Sequence, residues 1–152
     1  MKKLLTACCL LLLHAFVFGQ NLNEEFDAAL AAKLKGNDNG MKSYVFVILK
    51  TGSHSPTEKA ERDSIFAGHM RNMGRLSDEG KLVMAGPFGK NDLNYRGIFI
   101  MNTDSLEQAR EWVNTDPGVQ AKVFDVELLP FYGSAAIVET VNIHKKIQKY
   151  KD

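Results

Sequence analysis

The stretch SIFAGHMRNMGRLSDEGKLVMAGPF, Ser64–Phe88, decides how this chain folds. Its first part repeats apolar residues at helical spacing, and Gly80 then ends the helix. A short apolar run follows and is broken by Gly86 and Pro87, which predicts an edge strand, because proline cannot donate a hydrogen bond to a neighbouring strand. The predicted unit is therefore a helix, a tight turn and a strand, with His69 on the apolar side of the helix.

Helix signals on both sides of this stretch extend the prediction. Ser55 followed by Pro56 and Glu58 combines an N-cap residue, proline at the first helical position and an acid at the third, which predicts a long helix from here to the glycine turn. A second helix is predicted to be capped by Asp104. It must end near Asp116, because the residue before a proline is pushed away from helical angles.

Four apolar runs predict strands. The first and third are apolar at both odd and even positions, so neither of their faces can be left in water. With the two helices, the order β-α-β-β-α-β predicts an α+β fold, a ferredoxin-like plait with a four-stranded antiparallel sheet and both helices on one face. The four runs are residues 44–49, 81–88, 95–101 and 122–129.

The second face of this sheet needs a cover. Two helices can bury one face only, and exposed apolar surface costs roughly 25 cal/mol per Å². A second copy of the same sheet is the simplest cover, and it predicts a homodimer through the sheet faces, a dimeric α+β barrel. The alternative is that the N-terminal helix or the C-terminal tail covers this face within one chain.

The N-terminus predicts a secretory signal peptide. Lys2 and Lys3 precede an apolar run that is too short to span a membrane, and no stop-transfer pattern follows. A lipoprotein leader is the alternative, because residues 5–8 resemble a lipobox, but Cys8 precedes the apolar run instead of following it. We therefore expect an exported protein, periplasmic or secreted, with no membrane span after cleavage.

Removal of this leader changes the composition of the chain. Both cysteines, Cys8 and Cys9, lie in the leader, as do two of the 19 basic residues, which leaves 17 basic residues against 18 acidic ones. A chain without thiols has no disulfides and no cysteine chemistry. Its near-neutral charge also argues against nucleic acid as a partner.

The mature chain begins and ends with short helical segments. Asn21 and Glu24 form a capping-box-like start, and Gly36 ends the helix that follows. The C-terminal lysines are more typical of a solvated tail than of a binding patch. The predicted segments are residues 1–19 (signal peptide), 20–43 (N-terminal helix and linker), 44–132 (domain) and 133–152 (C-terminal tail, with a short helix at 141–149).

His69 is the first candidate catalytic residue. On a helical wheel it falls within the arc of Ile65, Phe66 and Leu76, the stripe that should face the core. A histidine in such a place is often a core residue satisfied by one hydrogen bond. However, Arg62 lies on the same arc, so the face is not purely apolar, and imidazole is suited to acid–base chemistry near neutral pH.

Asp116 is the candidate partner that would orient His69. We expect it at the C-terminus of the second helix, where an acid opposes the helix macrodipole at a cost of about 0.3–1 kcal/mol. Local conflicts of this kind are typical of functional residues. The sequence Asp-Pro-Gly is also a common turn, and turn formation alone explains Asp116 equally well. The sequence leaves open whether the two side chains meet.

Arg96 and Lys50 are candidate anchors for a small, anionic or aromatic ligand. Arg96 lies beside Gly97 in an apolar strand, where it could bind an anionic group or simply face the edge of the sheet. The histidines lack metal-ligand spacing, so no metal is expected. No phosphate-binding loop, nucleophile elbow or dinucleotide fingerprint is present, so no cofactor is expected.

Several short motifs resemble the YciI (YCII-related) family. They are the segment from His69 to Leu76, the run EGKLVMAGP at residues 79–87, DPG at residues 116–118 and LLPF at residues 128–131. The resemblance covers about residues 44–132. It implies a dimeric α+β barrel and a His-Asp dyad formed by His69 and Asp116. Some relatives carry arginine three residues before the histidine, where this chain has Phe66.

Two functions stay open for this site, of which the resemblance implies only the first. One relative is a dehydrochlorinase that acts on a chlorinated hydroxyquinol, which makes proton-transfer lyase chemistry the precedent for His69 and Asp116. The alternative is a non-catalytic, dimeric module of the cell envelope that binds a small ligand, with Arg96 or Lys50 as its anchor. The distance between His69 and Asp116 discriminates between these functions, because a catalytic pair must lie within hydrogen-bond reach, directly or through one water.

Overall fold

The computed structural model describes residues 23–149 and confirms the predicted α+β fold. Four antiparallel strands form one sheet in the order β2-β3-β1-β4. The elements are α1 (Ala28–Leu34), β1 (Met41–Thr51), α2 (Lys59–Asp78), β2 (Leu82–Pro87), β3 (Tyr95–Met101), α3 (Leu106–Val113), α4 (Pro117–Gln120), β4 (Phe124–Ser134), a 3-10 helix (Ala135–Glu139) and α5 (Thr140–Ile147).

The two strands that contain proline lie at the two edges of the sheet. β2 was expected at an edge because of Pro87, and the strand order confirms this. The predicted end of the fourth strand at Pro130 was wrong, because β4 continues through this residue to Ser134 and pairs Pro130 with Val45. An edge strand tolerates the proline, since one side of its backbone has no neighbouring strand to bond.

The main core lies between the helices and one face of the sheet. β1 contributes alternate residues, α2 contributes Leu76, and α3 contributes Ala109 and Val113. β4 contributes Phe124, which is also buried beside α4. This face, called the near face below, carries the side chains that form the floor of the candidate site.

The long helix begins later than the sequence predicts. The capping box at Ser55 was wrong: α2 starts at Lys59, and its N-cap residue, Glu58, makes no side-chain cap bond. The reason is that the preceding loop is tied to the start of β4, where Gly52 N–H donates to Val123 O and His54 N–H donates to Lys122 O. The helix can therefore begin only after the residues that these hydrogen bonds hold.

Two other helices are capped by residues other than those predicted. α3 is capped by Ser105, whose hydroxyl accepts from Gln108 N–H, and not by Asp104. α1 is capped by Asp27, whose carboxylate accepts from Leu30 N–H, so this helix is shorter than predicted. The predicted start at Asn21, like the signal peptide, lies outside the described residues. Several nearby residues can serve as N-caps, and burial of the apolar face selects among them.

The far face of the sheet is partly covered by the C-terminal tail. Tyr44 and Ile100 are buried there, with Ile137 and Val138 of the 3-10 helix packed against them. The Tyr44 hydroxyl donates to Ser134 O at 2.9 Å, which fixes the point where the tail leaves the sheet. The C-terminal tail therefore covers one end of the far face within one chain, which was the predicted alternative to a second copy.

Within the described range 23–149, no helix is both long and apolar enough to cross a bilayer.

The packing of the tail predicts a difference between two isoleucines. Ile137→Ala should lower the free energy of unfolding by about 2 kcal/mol, at the low end for buried aliphatic truncations because Ile137 is only partly buried. Ile147 is 74% exposed, and Ile147→Ala should change stability by less than about 0.5 kcal/mol. Urea unfolding of both variants measures this difference. Equal effects would show that the tail does not pack on the sheet.

Candidate functional site

The candidate site is built where α2 crosses α4. A Cβ atom on Gly68 would lie 2.9 Å from Pro117 Cγ, closer than real Cβ atoms approach other heavy atoms. Glycine at this position therefore lets the two helices come together. His69 follows Gly68 and Asp116 precedes Pro117, so the same close approach brings both candidate catalytic residues to one place.

His69 and Asp116 are hydrogen-bonded. The distance from His69 Nδ1 to Asp116 Oδ2 is 2.7 Å, and Asp116 Oδ1 accepts from Gly118 N–H at the same distance. Asp116 is fully buried and His69 is only 7% exposed. Because a carboxylate accepts hydrogen bonds and does not donate them, Nδ1 carries the proton, and Nε2 is the ring nitrogen left for a ligand.

Asp116 occupies a different position in its helix than the sequence predicts. We expected it at the C-terminus of the second helix, but α3 already ends at Val113, and Asp116 is the N-cap of α4 with Pro117 at the first helical position. An acid is favourable at an N-terminus, so the proposed conflict with the macrodipole was wrong. Turn formation and contact with His69 are not alternatives, because each carboxylate oxygen serves one of them.

Aromatic rings surround the imidazole. The ring centroids of Phe124, Phe66 and Phe99 lie 5.1, 5.9 and 6.1 Å from that of His69. Phe124 also fills the space next to Gly118, where a Cβ atom would lie 2.6 Å from the phenyl ring. Because His69 and Asp116 are buried, their hydrogen bond lies in surroundings where electrostatic interactions are stronger than in solvent.

His69 lines a cavity of about 410 Å³ between α2 and the β2–β3 edge of the sheet. This volume is in the range of small-molecule sites, and most of the lining is apolar. Arg96, the predicted ligand anchor, is among the lining residues. The complete lining is Leu49, Phe66, His69, Met70, Met73, Ala85, Gly86, Pro87, Phe88, Arg96, Gly97, Phe99 and Phe124.

Lys50, the other predicted anchor, is not part of this cavity. Leu49 points to the near face of β1, so the next residue points to the far face. Lys50 Nζ lies 3.2 Å from Glu127 Oε2 on the neighbouring strand. The structure therefore brings together His69, Asp116 and Arg96, and it separates Lys50 from them.

The pair is supported from the next turn of α2 by residues that the sequence did not predict as part of the site. Asn72 is buried, and its side-chain oxygen accepts from Arg75 at 2.8 Å, while Thr115 Oγ1 accepts from the same guanidinium group at 2.9 Å. Thr115 directly precedes Asp116, so these bonds tie α2 to the segment that carries the carboxylate. The only signal in the sequence is that Asn72 lies three residues after His69, on the same side of the helix.

The described part of the chain contains no group of three or more His, Cys, Asp or Glu side chains that could hold a metal ion.

Comparison with known proteins assigns the chain to a family. Residues 41–132, more than half of the sequence, match the model of the YCII-related domain. The chain belongs to the YCII-related domain family. It is 34% identical over 95 residues to Protein YciI of Escherichia coli O6:H1 and, equally, to Protein YciI of Shigella flexneri. Each alignment covers 57% of this chain and 95% of the relative.

A search of solved structures finds 5-chloro-2-hydroxyhydroquinone dehydrochlorinase from Burkholderia phenoliruptrix AC1100, in complex with 2,5-dihydroxybenzoquinone. That protein is 22% identical to this chain, and the match covers 57% of this chain and 90% of the dehydrochlorinase at a TM-score of 0.38. The match to the YCII-related model spans the sheet, α2, α3 and α4, and therefore includes both residues of the buried pair.

Two glycines of α2 test how the site of this YCII-related protein is assembled. Gly74→Ala should raise the free energy of unfolding by about 0.5–1 kcal/mol, because alanine favours helix and nothing lies within 4 Å of the added Cβ. Gly68→Ala should lower it by about 1–3 kcal/mol, because the added methyl group meets a rigid proline ring. Urea unfolding measures both changes. Equal stabilisation by the two substitutions would contradict the proposed helix contact.

Proposed function

We propose that this YCII-related protein transfers protons on a small, mainly apolar molecule, with His69 as general acid–base and Asp116 as the residue that orients it. The observation that carries the proposal is the 2.7 Å hydrogen bond between two buried side chains, one of which lines an apolar cavity. A buried carboxylate is costly unless it is hydrogen-bonded, and here both of its oxygens accept a bond.

The protonation of the His69 ring determines that the first proposed proton transfer runs from the ligand to His69. With Nδ1–H donating to Asp116, Nε2 carries a lone pair that can accept a proton from an acidic O–H or C–H group of the ligand. The imidazolium formed in this step is stabilised by the carboxylate. The proton then returns to the ligand or passes to solvent, and a leaving group such as chloride departs when the reaction is an elimination.

The lining of the cavity suggests the kind of molecule. Phe66, Phe88 and Phe99 offer faces and edges for a flat, apolar body. Arg96 offers a positive charge to a phenolate or carboxylate group. We infer a small ring with at least one acidic hydroxyl or carboxyl group as substrate, and we use chlorinated hydroxyquinols, which the family resemblance suggests, as the first probes.

Activity of site variants tests the proposal. Purified protein without residues 1–19 is incubated with a panel of chlorinated and unchlorinated hydroxyquinols, and chloride release and deuterium incorporation from solvent are followed. For any substrate that is turned over, His69→Ala and Asp116→Asn should each lower kcat/KM by about 10²- to 10⁴-fold, because general acid–base catalysis contributes this much.

His54→Ala is the matched control for this test. His54 also pairs with an acid, Glu61, but on the exposed surface and away from the cavity, so its replacement should leave kcat/KM unchanged. Normal turnover in both His69→Ala and Asp116→Asn would contradict the proposed catalytic pair. Ligands that raise the melting temperature in a thermal-shift assay but are never turned over would support the alternative, a non-catalytic binding module.

We also propose that two copies pair through the uncovered part of the far face, in the dimeric-barrel arrangement. The tail covers the end of this face near Tyr44, whereas Ile48 and Ile98 are only half-buried at the other end. Leu129, 42% exposed, lies opposite Phe46 and extends the same surface. The predicted signal peptide would place the dimer in the periplasm or outside the cell.

One substitution in this surface tests the proposed dimer. Leu129→Arg should convert the dimer to a monomer, because it places a charge without a partner in a buried apolar interface. Leu93, which is 67% exposed on the loop between β2 and β3, provides the control: Leu93→Arg should leave the dimer intact. Sedimentation equilibrium measures the mass of each protein. A monomeric wild-type protein would contradict the proposed interface.

A further inference from the structure

A second cavity, of about 630 Å³, is also lined by Phe124 but not by His69. Its walls come from the loop after β1, the C-terminal turn of α3 and the first residues of β4. Among the residues that the structure describes, Phe124 alone lines both cavities, so they adjoin at this residue. Neither the proposed catalysis nor the proposed dimer uses this second cavity.

The backbone around this second cavity is held firmly. Gly52 lies so close to the next segment that a Cβ atom would be 2.0 Å from Lys122 O, and Gly52 N–H donates to Val123 O at 2.9 Å. Lys122 has a left-handed backbone, with φ of 60°. Such a conformation is uncommon for a residue other than glycine and persists only where the surroundings impose it.

Two cationic side chains line the second cavity. Neither Arg110 nor Lys122 forms a hydrogen bond or an ion pair through its side chain with any residue in the described range, and both line the cavity. The hydroxyl group of Ser53, another lining residue, is likewise without a partner there. Asp125 is the single acid in the lining, and its Oδ1 accepts from Val126 N–H. The net charge of the lining is therefore positive.

The chemistry of the lining identifies a class of ligand. A guanidinium group matches the geometry of a carboxylate or a phosphate, to which it can donate two parallel hydrogen bonds. Val119, Phe124 and Val126 add an apolar wall beside these donors. We propose that this cavity is a binding site for a small organic oxyanion, a carboxylate or phosphate group attached to an apolar body, with Arg110 and Lys122 as its anchors.

A titration followed by NMR tests this site without knowledge of the catalytic substrate. Benzoate and phenyl phosphate are the probes, and benzamide is the neutral control of the same shape. Both anions should shift the amide signals of Gly52 and Asn114, and the anion that binds more tightly identifies carboxylate or phosphate as the preferred group. Benzamide should bind at least tenfold more weakly. Equal binding of benzamide, or shifts confined to Gly86 and Gly97 beside His69, would overturn the proposal.

Variants of the two anchors complete the test. Arg110→Gln and Lys122→Asn should each weaken anion binding about 10- to 100-fold, as expected for the loss of a hydrogen bond between charged groups. Asparagine is chosen at 122 because it tolerates the left-handed backbone. Arg71→Gln and Lys90→Asn remove the same charges outside the lining and should change affinity by less than twofold. Equal weakening by the anchor and control variants would overturn the proposal.

This inference does not rest on the proposed catalysis. Arg110→Gln should reduce anion binding and leave the NMR signals of the His69 ring unchanged, whereas His69→Ala should leave the affinity for benzoate at the second cavity unchanged. Loss of benzoate binding in His69→Ala would assign the anion to the catalytic cavity and contradict a separate site.

Discussion

The close approach of α2 and α4 fixes both members of the buried pair. Gly68 lets Pro117 pack directly on α2, and the neighbouring residues, His69 and Asp116, then meet at 2.7 Å. The carboxylate is stable in a dry place because its two oxygens accept from His69 Nδ1 and Gly118 N–H. One carboxylate thus caps α4 and orients an imidazole, so the local fold and the candidate site depend on the same atoms.

This double role explains why the sequence predicted the residues of the site better than their arrangement. His69 was identified from its place on an apolar helix face, a property of helical periodicity alone. The contact with Asp116 spans 47 positions and depends on the missing side chain of Gly68. The periodicity of apolar residues indicates neither of these. Lys50 was placed with the ligand because of its charge, whereas the alternation of β1 directs it to the far face.

More of the fold than of the site was predictable from the sequence, because helices and strands follow repeated patterns of apolar residues. The strand from Tyr95 to Met101 has the predicted bounds, and Pro87 marked an edge strand. Helix starts were less predictable, since Asp104 and Ser105 can both act as caps and only burial of the rest of α3 decides between them. Pro130 failed as a stop signal because proline is compatible with an edge strand.

The proposed chemistry depends on the orientation of the His69 imidazole, and the protonation of its two ring nitrogens can be measured directly. Nitrogen-15 NMR of histidine-labelled protein, at a pH where the ring is neutral, should find the proton of His69 on Nδ1 and a free lone pair on Nε2. In Asp116→Asn the signals should change towards the other tautomer, while those of His54 stay the same. A proton on Nε2 in the wild-type protein would contradict the proposed role of His69, because the nitrogen that is not bonded to Asp116 would then be unable to accept a proton.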